Sequence, residues 1–492
     1  VARAALPTGL FALAAPTGAG KTQIGLGWAL AHAASHALRR VVTAVPFITV
    51  TDQVAQVYRM LLDDGDDKAV IEHHSQVVGD DGFQKLASEN WDAPVVVTTT
   101  VRLFESLFSN RPSDCRRLHR LARSVIVIDE AQAIPVEVLD PVVDGLRALC
   151  DRFGASVLIM TATQPTLEHI ASTQDRPAHD LLPEVGNWGS VFERTTAEVR
   201  GELAHDEVAR LVTEHRQCLC IVNTINDARE ITAAAGAAVA MIHLSTMLRP
   251  ADRRDRLNEI RRRLGAGEQC RVVSTQLVEA GVDLDFPVVM RAMAPLPSLA
   301  QADGRCNRNG SIAGGGRTIV FKLAGGKKPP GAYYTAGTAH TEVMLRKEAT
   351  DFRHPSTVAR WYEGFLNDPS VVLDKGDVQR ARAALDYRTT ADRFHMIDDD
   401  TQPVVVPWER GDPRAAVIDT LLGSLRDHKP LSPDAVRELQ EVTVSVRRSV
   451  ADRAVRLNVA SPVTDYLLEW TGGYDDQSGL IFESRPMEVT IW

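Results

Sequence analysis

Ten short, nearly continuous apolar runs punctuate residues 10–323, and they constrain the fold more than any other feature. The first five are "LFALAA" (10–15), "RVVTAV" (40–45), "PVVVTT" (94–99), "SVIVID" (124–129) and "SVLIMTA" (156–162). The second five are "CLCIVN" (218–223), "AVAMIHL" (238–244), "CRVVST" (270–275), "VVMRAM" (288–293) and "RTIVFKL" (317–323). A strand with one wet face alternates apolar and polar residues, so a run without alternation must be covered on both faces. Helix-length segments between the runs supply that cover, which is the pattern of parallel sheets. The two sets predict two α/β domains, 1–200 and 201–328, with the change after the polar, proline-dotted stretch 172–190. Past the linker "AGGKKPPGAYY" (324–334) the pattern turns helical, in "TEVMLRKEATDF", "PSTVARWYEGFL", "DPRAAVIDTLLGSLRDH" and "SPDAVRELQEVTVSVRRSV". Residues 329–492 therefore read as a mostly helical C-terminal accessory domain with a few strands.

Composition excludes several classes. No run of about 18 apolar residues occurs, so no membrane span is expected. The apolar start "VARAALPTGLFALAA" leads straight into a glycine-rich loop, unlike a cleavable signal peptide. Six cysteines in 492 residues, without framework spacing, fit a reducing, cytoplasmic setting. Cys218 and Cys220 alternate on one strand face and are expected in the core. A formal net charge of −9 argues against wholesale coating of nucleic acid, though not against a locally basic groove.

The segment "LAAPTGAGKTQIGLGWALAHA" (13–33) reads strand, loop, helix. Its core, Pro16-Thr17-Gly18-Ala19-Gly20-Lys21-Thr22, matches a phosphate-binding loop except that Ala15 stands in the first glycine position. Glycines let backbone N–H groups turn inward around phosphate oxygens, and the helix N-terminus adds its dipole. Thr17, Gly18, Ala19 and Gly20 would cradle the phosphates of ATP. Lys21 would reach the β- and γ-phosphates, and the Thr22 hydroxyl would ligate Mg²⁺. The run "VIVIDEAQ" (125–132) then ends a buried strand in two acids, Asp129 and Glu130. A lone buried carboxylate costs several kcal/mol unless paired or bound to a cation. A phosphate-loop enzyme needs a strand-tip carboxylate for Mg²⁺, which Asp129 would supply through water. Glu130 would orient and deprotonate the attacking water.

Three further motifs follow in order. In "MTATQP" (160–165), Thr161 and Thr163 point the same way and could link the acids to the other domain. In "STQLVEAGVDLDF" (274–286), Gly281 allows close backbone approach, and Asp283 and Asp285 are candidates for nucleotide or arginine contact. In "QADGRCNRNG" (301–310), Gln301 is expected to begin a helix with Arg305 and Arg308 on one face. Two arginines across a cleft from a phosphate loop would stabilise charge on the transferred phosphoryl group.

The order "PTGAGKT", "TAVPF", "VVTTT", "DEAQ", "TAT", "VNT", "STQLVEAGVDLDF", "QADGRCNR" resembles that of superfamily-2 helicases. Within them, "HHS" (73–75), "DEAQAIP", "TATQP", "IVNTINDA" (221–228), "EAGVDLDF", "GRCNRNG", "FHMIDDDTQPVVVP" (394–407) and "YDDQSGL" (474–480) are similar to the helicase–nuclease of type I CRISPR interference, which the Cascade surveillance complex recruits. The resemblance implies two tandem RecA-like domains, an ATP-driven single-stranded-DNA motor travelling 3′ to 5′, and an ATPase site made of Lys21, Thr22, Asp129, Glu130, Gln132, Arg305 and Arg308. Gln132 stands where many relatives have His; it can pass a hydrogen bond onward but does not titrate near neutral pH. Pro46, Phe47, Thr99, Thr100, Asn223, Thr224, Thr275 and Gln276 lie in segments that contact single-stranded DNA in such enzymes, by groups that hold phosphates without reading sequence.

One departure stands out. The family usually carries an HD-type nuclease with clustered His and Asp, commonly ahead of the helicase, yet 14 residues precede Ala15. The pairs His179-Asp180 and His205-Asp206 lack surrounding histidines and read as surface or capping pairs. The nuclease is therefore expected either on a separate chain or in a domain outside the given sequence. Two rival readings remain open: another superfamily-2 motor acting on RNA or in DNA repair, and an ATP-gated binding switch that hydrolyses little.

Overall fold

The computed structural model describes residues 2–482 apart from 16–18, 63–68, 75–86, 162–177, 183–193, 237–238, 280, 313, 328, 330, 348–350, 398–399 and 410. The first sheet contains β1 (Leu10–Ala14), β2 (Val41–Val45), β3 (Val70–His73), β4 (Val95–Thr99), β5 (Val125–Ile128), β6 (Ser156–Thr161) and β7 (His179–Asp180). Their spatial order is β3-β4-β2-β5-β6-β1-β7, with every pairing parallel. The unbroken apolar runs are explained by two cores. In β5, Ile126 and Ile128 enter one, while Val125 and Val127 enter the other. β2 and β6 divide in the same way.

The second sheet contains β8 (Thr195–Leu203), β9 (Gln217–Ile221), β10 (Ile242–Leu244), β11 (Cys270–Ser274), β12 (Val288–Ala292) and β13 (Gly316–Leu323). Its order is β10-β11-β9-β12-β13-β8, again parallel throughout. Cys218 and Cys220 are fully buried in one of its cores. Strand β8 runs through the expected boundary at residue 200 and belongs wholly to the second sheet, so the change of sheet precedes Thr195. It has no apolar run because it is an edge strand with most of its residues half or fully exposed.

The region after residue 328 has two parts. Helices Ala332–Lys347 and Pro355–Leu366 bury Trp361, Tyr362 and Phe365 in a cluster that also holds Val42 and Ile128 of the first sheet and Leu296 and Leu299 of the second domain. The helical stretch thus stitches the two domains along one core. The second part builds a four-stranded sheet of β14 (Thr401–Val405), β15 (Thr443–Arg447), β16 (Ala460–Thr464) and β17 (Leu467–Trp470), in order β15-β14-β17-β16. Here the continuous helix expected over "SPDAVRELQEVTVSVRRSV" is corrected: the helix Pro433–Glu441 gives way to β15. Thr443, Val444 and Val446 are β-branched, and burial alternates along the segment, which is strand chemistry. This part is pinned to the second domain by Arg249. Its guanidinium lies 4.0 Å from the ring centres of both Trp408 and Tyr474 and 2.8 Å from Asp252. No described helix is long and apolar enough to cross a membrane.

Candidate nucleotide and nucleic-acid site

Parallel sheets place ligand sites beyond the carboxyl ends of their strands. In the first sheet β1, β6 and β5 are neighbours in that order, so Ala15, Thr161 and Asp129 emerge side by side. Helix α1 (Lys21–Ser35) follows the loop, preceded by Gly20 at φ 77°, a left-handed conformation that favours glycine. Pro16, Thr17 and Gly18 lie outside the described residues, as does Thr163; Ala19 and Gly20 lead into the helix. The Ala15 N–H donates to the Thr161 carbonyl at 3.2 Å, which ties the loop's start to β6. Lys21 is buried, and its Nζ donates to the Ala15 carbonyl at 2.9 Å.

Asp129 is 5% exposed. Its carboxylate accepts from the Glu130 N–H at 3.0 Å and bonds the Thr22 hydroxyl. Burial, and after it the adjacent Glu130, push its pKa up, while Lys21 opposes them. Glu130 adopts φ 51°, ψ 47°. That left-handed conformation costs a non-glycine residue about 1–2 kcal/mol, strain of the kind found at functional turns. Gln132 donates to Glu130 and accepts from the Thr161 hydroxyl at 2.6 Å. The strand-tip threonine, the glutamine and the glutamate therefore form one hydrogen-bonded chain.

The second domain presents its arginines to the same place. Burial first, and then Arg308, lower the Arg305 pKa to about 10, and Glu130 of the first domain raises it. Lys21 is likewise lowered first by burial, raised by Glu130 and Asp129, and lowered by Arg308 and Arg305. Lys21 thus feels both acids and both arginines, and Arg305 feels Glu130 across the boundary between the two domains. Arg305 is 5% exposed and donates to the Val278 and Glu279 carbonyls at 2.9 and 2.6 Å. Arg308 pairs with Asp283 at 3.0 Å, and Asp285 accepts the N–H groups of Arg308 and Asn309 at 2.7 and 3.0 Å. Both aspartates therefore serve the arginine loop in this state. The expected helix beginning at Gln301 is corrected: the helix is Leu296–Asp303, and the arginines lie in the turns beyond it. Asn307 at φ 47° breaks the helical path there.

A groove of about 2200 Å³ runs between the two domains and the C-terminal sheet. Pro46, Phe47, Thr99, Asn223, Thr224, Thr275 and Gln276 line it together. Thr100 does not; it is buried in the first turn of its helix. Thr99 caps the helix Thr100–Phe108 by accepting the Arg102 N–H at 3.2 Å, and Thr224 caps Ile225–Ala234 by accepting the Asp227 N–H at 3.1 Å. Each domain therefore turns one capped helix N-terminus, a phosphate-favouring element, toward the groove. Among the described residues, nine that line it are Arg or Lys and three are Asp or Glu, against a chain of net charge −9. Arg437, Arg447 and Arg453, which form the C-terminal wall, sit in no motif that the sequence displays. The arginine-rich helix Pro250–Gly265 adds Arg253, Arg254 and Arg261, and its run of arginines is a signal visible in the sequence.

The histidine motifs separate. His73 accepts from the Trp91 indole at 3.1 Å, and burial, helped by Arg117 and Arg102, pushes its pKa down to about 3. Burial alone would lower His74 too, but hydrogen bonds with Asp52 and Glu72 outweigh it and raise its pKa. His205 faces Asp227 and Glu230, at 3.4 and 3.2 Å. His179 pairs with β1 through the backbone at the sheet edge.

Residues 2–170 match the DEAD/DEAH box helicase family, and residues 214–311 match the C-terminal region of CRISPR-associated nuclease/helicase Cas3. A CRISPR-associated nuclease/helicase Cas3 from Haloferax volcanii is 27% identical, over 63% of this chain and 46% of that protein. One from Methanothermobacter thermautotrophicus is 23% identical, over 60% and 38%. The chain spans less than half the length of these curated relatives. Among solved structures, T. fusca Cas3 with AMPPNP superposes with a TM-score of 0.72 at 17% identity, covering 97% of this chain and 69% of that one. A chain of a CRISPR RNA-guided surveillance complex, pre-nicking, gives 0.61 at 17% identity, with 97% and 68% covered. The two parallel-sheet domains are accordingly a tandem RecA-like pair.

Proposed function

We propose, from the premise that this chain carries the two-lobed helicase part of a Cas3-type superfamily-2 protein, that it is an ATP-driven translocase and helicase on single-stranded DNA. The supporting observation is that Lys21 lies within electrostatic reach of Asp129, Glu130, Arg305 and Arg308, although three segments and two domains supply these side chains. In this reading Lys21 and the loop hold the triphosphate, Glu130 orients the attacking water, and Gln132 links Glu130 to Thr161. Arg308 leaves Asp283 for the γ-phosphate when the cleft closes. The donor set suits a magnesium ion: a buried carboxylate beside a second acid and a hydroxyl is costly without a cation. Asp129 and Thr22 would hold that ion, which neutralises phosphate charge when bound.

The strand would lie in the basic groove, gripped by both lobes. Closing and opening around the nucleotide would shift the relative grip of the lobes and so move the strand, 3′ to 5′ by analogy with the family. Recruitment by Cascade, and work alongside a separate HD nuclease chain or domain, are part of the same proposal. ATP hydrolysis measured alone and with single-stranded DNA, RNA or duplex tests it. Stimulation by single-stranded DNA is expected. A strong preference for RNA would favour another superfamily-2 motor, and turnover unmoved by any nucleic acid would sink the motor reading.

A further inference from the structure

Neither the nucleotide cleft nor the strand path uses His74. Its imidazole closes a small polar cage between the helix Ile48–Leu62 and strand β3. The Nε2 atom lies 3.1 Å from Asp52 Oδ1 and 3.8 Å from Glu72 Oε2. The other Glu72 oxygen, Oε1, is paired with Arg59, so the two oxygens of this carboxylate face different partners. His74 is 6% exposed, while Asp52 is exposed and lines the groove, so the cage opens on one side to water. Among the described residues this is the one group of three or more His, Cys, Asp or Glu side chains whose ligand atoms all lie within 4.8 Å of one another. Ligands bonded at about 2.1 Å in a tetrahedral site stand about 3.4 Å apart, so small side-chain adjustments would bring these three atoms onto one ion.

We propose that Asp52, Glu72 and His74 bind a divalent transition-metal ion of the zinc class at the rim of the groove, with water completing its shell. The donor set selects the class: one imidazole nitrogen with two carboxylate oxygens suits Zn²⁺, Mn²⁺ or Fe²⁺, whereas Mg²⁺ and Ca²⁺ favour oxygen alone. The position adds a second reason, which rests on the groove's proposed role. Asp52, a carboxylate lining a cleft for a polyanion, repels it, and a bound dication reverses the local sign. The ion would also tie the start of the helix that follows Pro46 and Phe47 to β3.

Calorimetric titration of the full chain with Zn²⁺ alone tests the site without reference to activity. One equivalent should bind, and His74→Ala and Asp52→Ala should each weaken it at least about tenfold, the smallest loss seen even for residues that only support ligands. His205→Ala, at a group of similar composition, should bind like wild type. Co²⁺ should give a visible absorption band that His74→Ala loses. Circular dichroism checks folding, and Asp52→Ala, at an exposed helical side chain, preserves it. No Zn²⁺ uptake by wild type, or equal uptake by all three variants, overturns the proposal. The groove reading stands or falls separately, on strand binding and ATP hydrolysis.

Discussion

Arg308→Ala separates catalysis from folding at this site. The Arg308 side chain is 25% exposed, and its partner Asp283 is 70% exposed. An ion pair so open to water contributes about 0–1 kcal/mol. The backbone N–H that Asp285 accepts survives the substitution. The variant should therefore melt close to wild type. An arginine that stabilises a transferred phosphoryl group is worth about 10³–10⁵ in rate, or about 4–7 kcal/mol of barrier. ATP turnover with saturating single-stranded DNA should fall by at least about a thousandfold. Arg305→Ala behaves differently, because that guanidinium is buried and satisfies two carbonyls. Each carbonyl left without a donor costs about 1–3 kcal/mol, so this variant should lose stability as well as turnover. Turnover of Arg308→Ala within tenfold of wild type, at unchanged melting, would refute the assignment.

Lys21→Ala should abolish ATP hydrolysis while circular dichroism stays native, and Glu130→Gln should keep nucleotide binding but lose turnover; wild-type rates in either would remove that residue from the mechanism. His243 is fully buried, neither ring nitrogen has a hydrogen-bond partner among the described residues, and burial, with Arg229 and Arg256, lowers its pKa to about 4. Its folded pKa lies below the unfolded 6.5, so the unfolded chain protonates first and stability falls as pH drops from about 6.5 toward 4. His243→Leu removes that loss and should gain about 2 kcal/mol over wild type at pH 5 relative to pH 8, read by denaturant unfolding. Arg447→Ala and Arg453→Ala should each weaken single-stranded-DNA binding and reduce the salt slope by about 0.7, whatever the base sequence; unchanged slopes would take the C-terminal wall out of the strand path.

The sheets were legible because strands buried on both faces cannot hide their apolar runs, as Val125–Ile128 illustrates. Strands β3, β7 and β8 escaped notice for the converse reason: short or edge strands such as Thr195–Leu203 bury too little to leave a continuous pattern. Lys21, Asp129, Glu130, Arg305 and Arg308 could be singled out as candidates because phosphoryl transfer calls for those side-chain types. Their local shapes could not. The left-handed turn at Glu130 and the non-helical arginine loop depend on neighbours far along the chain, Thr161 through Gln132 for one and Asp285 for the other. The groove's third wall was invisible because Arg437, Arg447 and Arg453 gain meaning from the docking of the C-terminal sheet on the second lobe. Part of that docking is Arg249, 4.0 Å from two aromatic ring centres, a contact no local pattern announces.

Coupled hydrolysis requires both lobes to grip one triphosphate, and a distance across the cleft reports this directly. Spectroscopic probes at the exposed positions Ile24 and Asn309 would sit on opposite lobes. A non-hydrolysable ATP analogue should shorten and narrow that distance, ADP should not, and Arg308→Ala should abolish the shortening. An inter-lobe distance indifferent to nucleotide would contradict it.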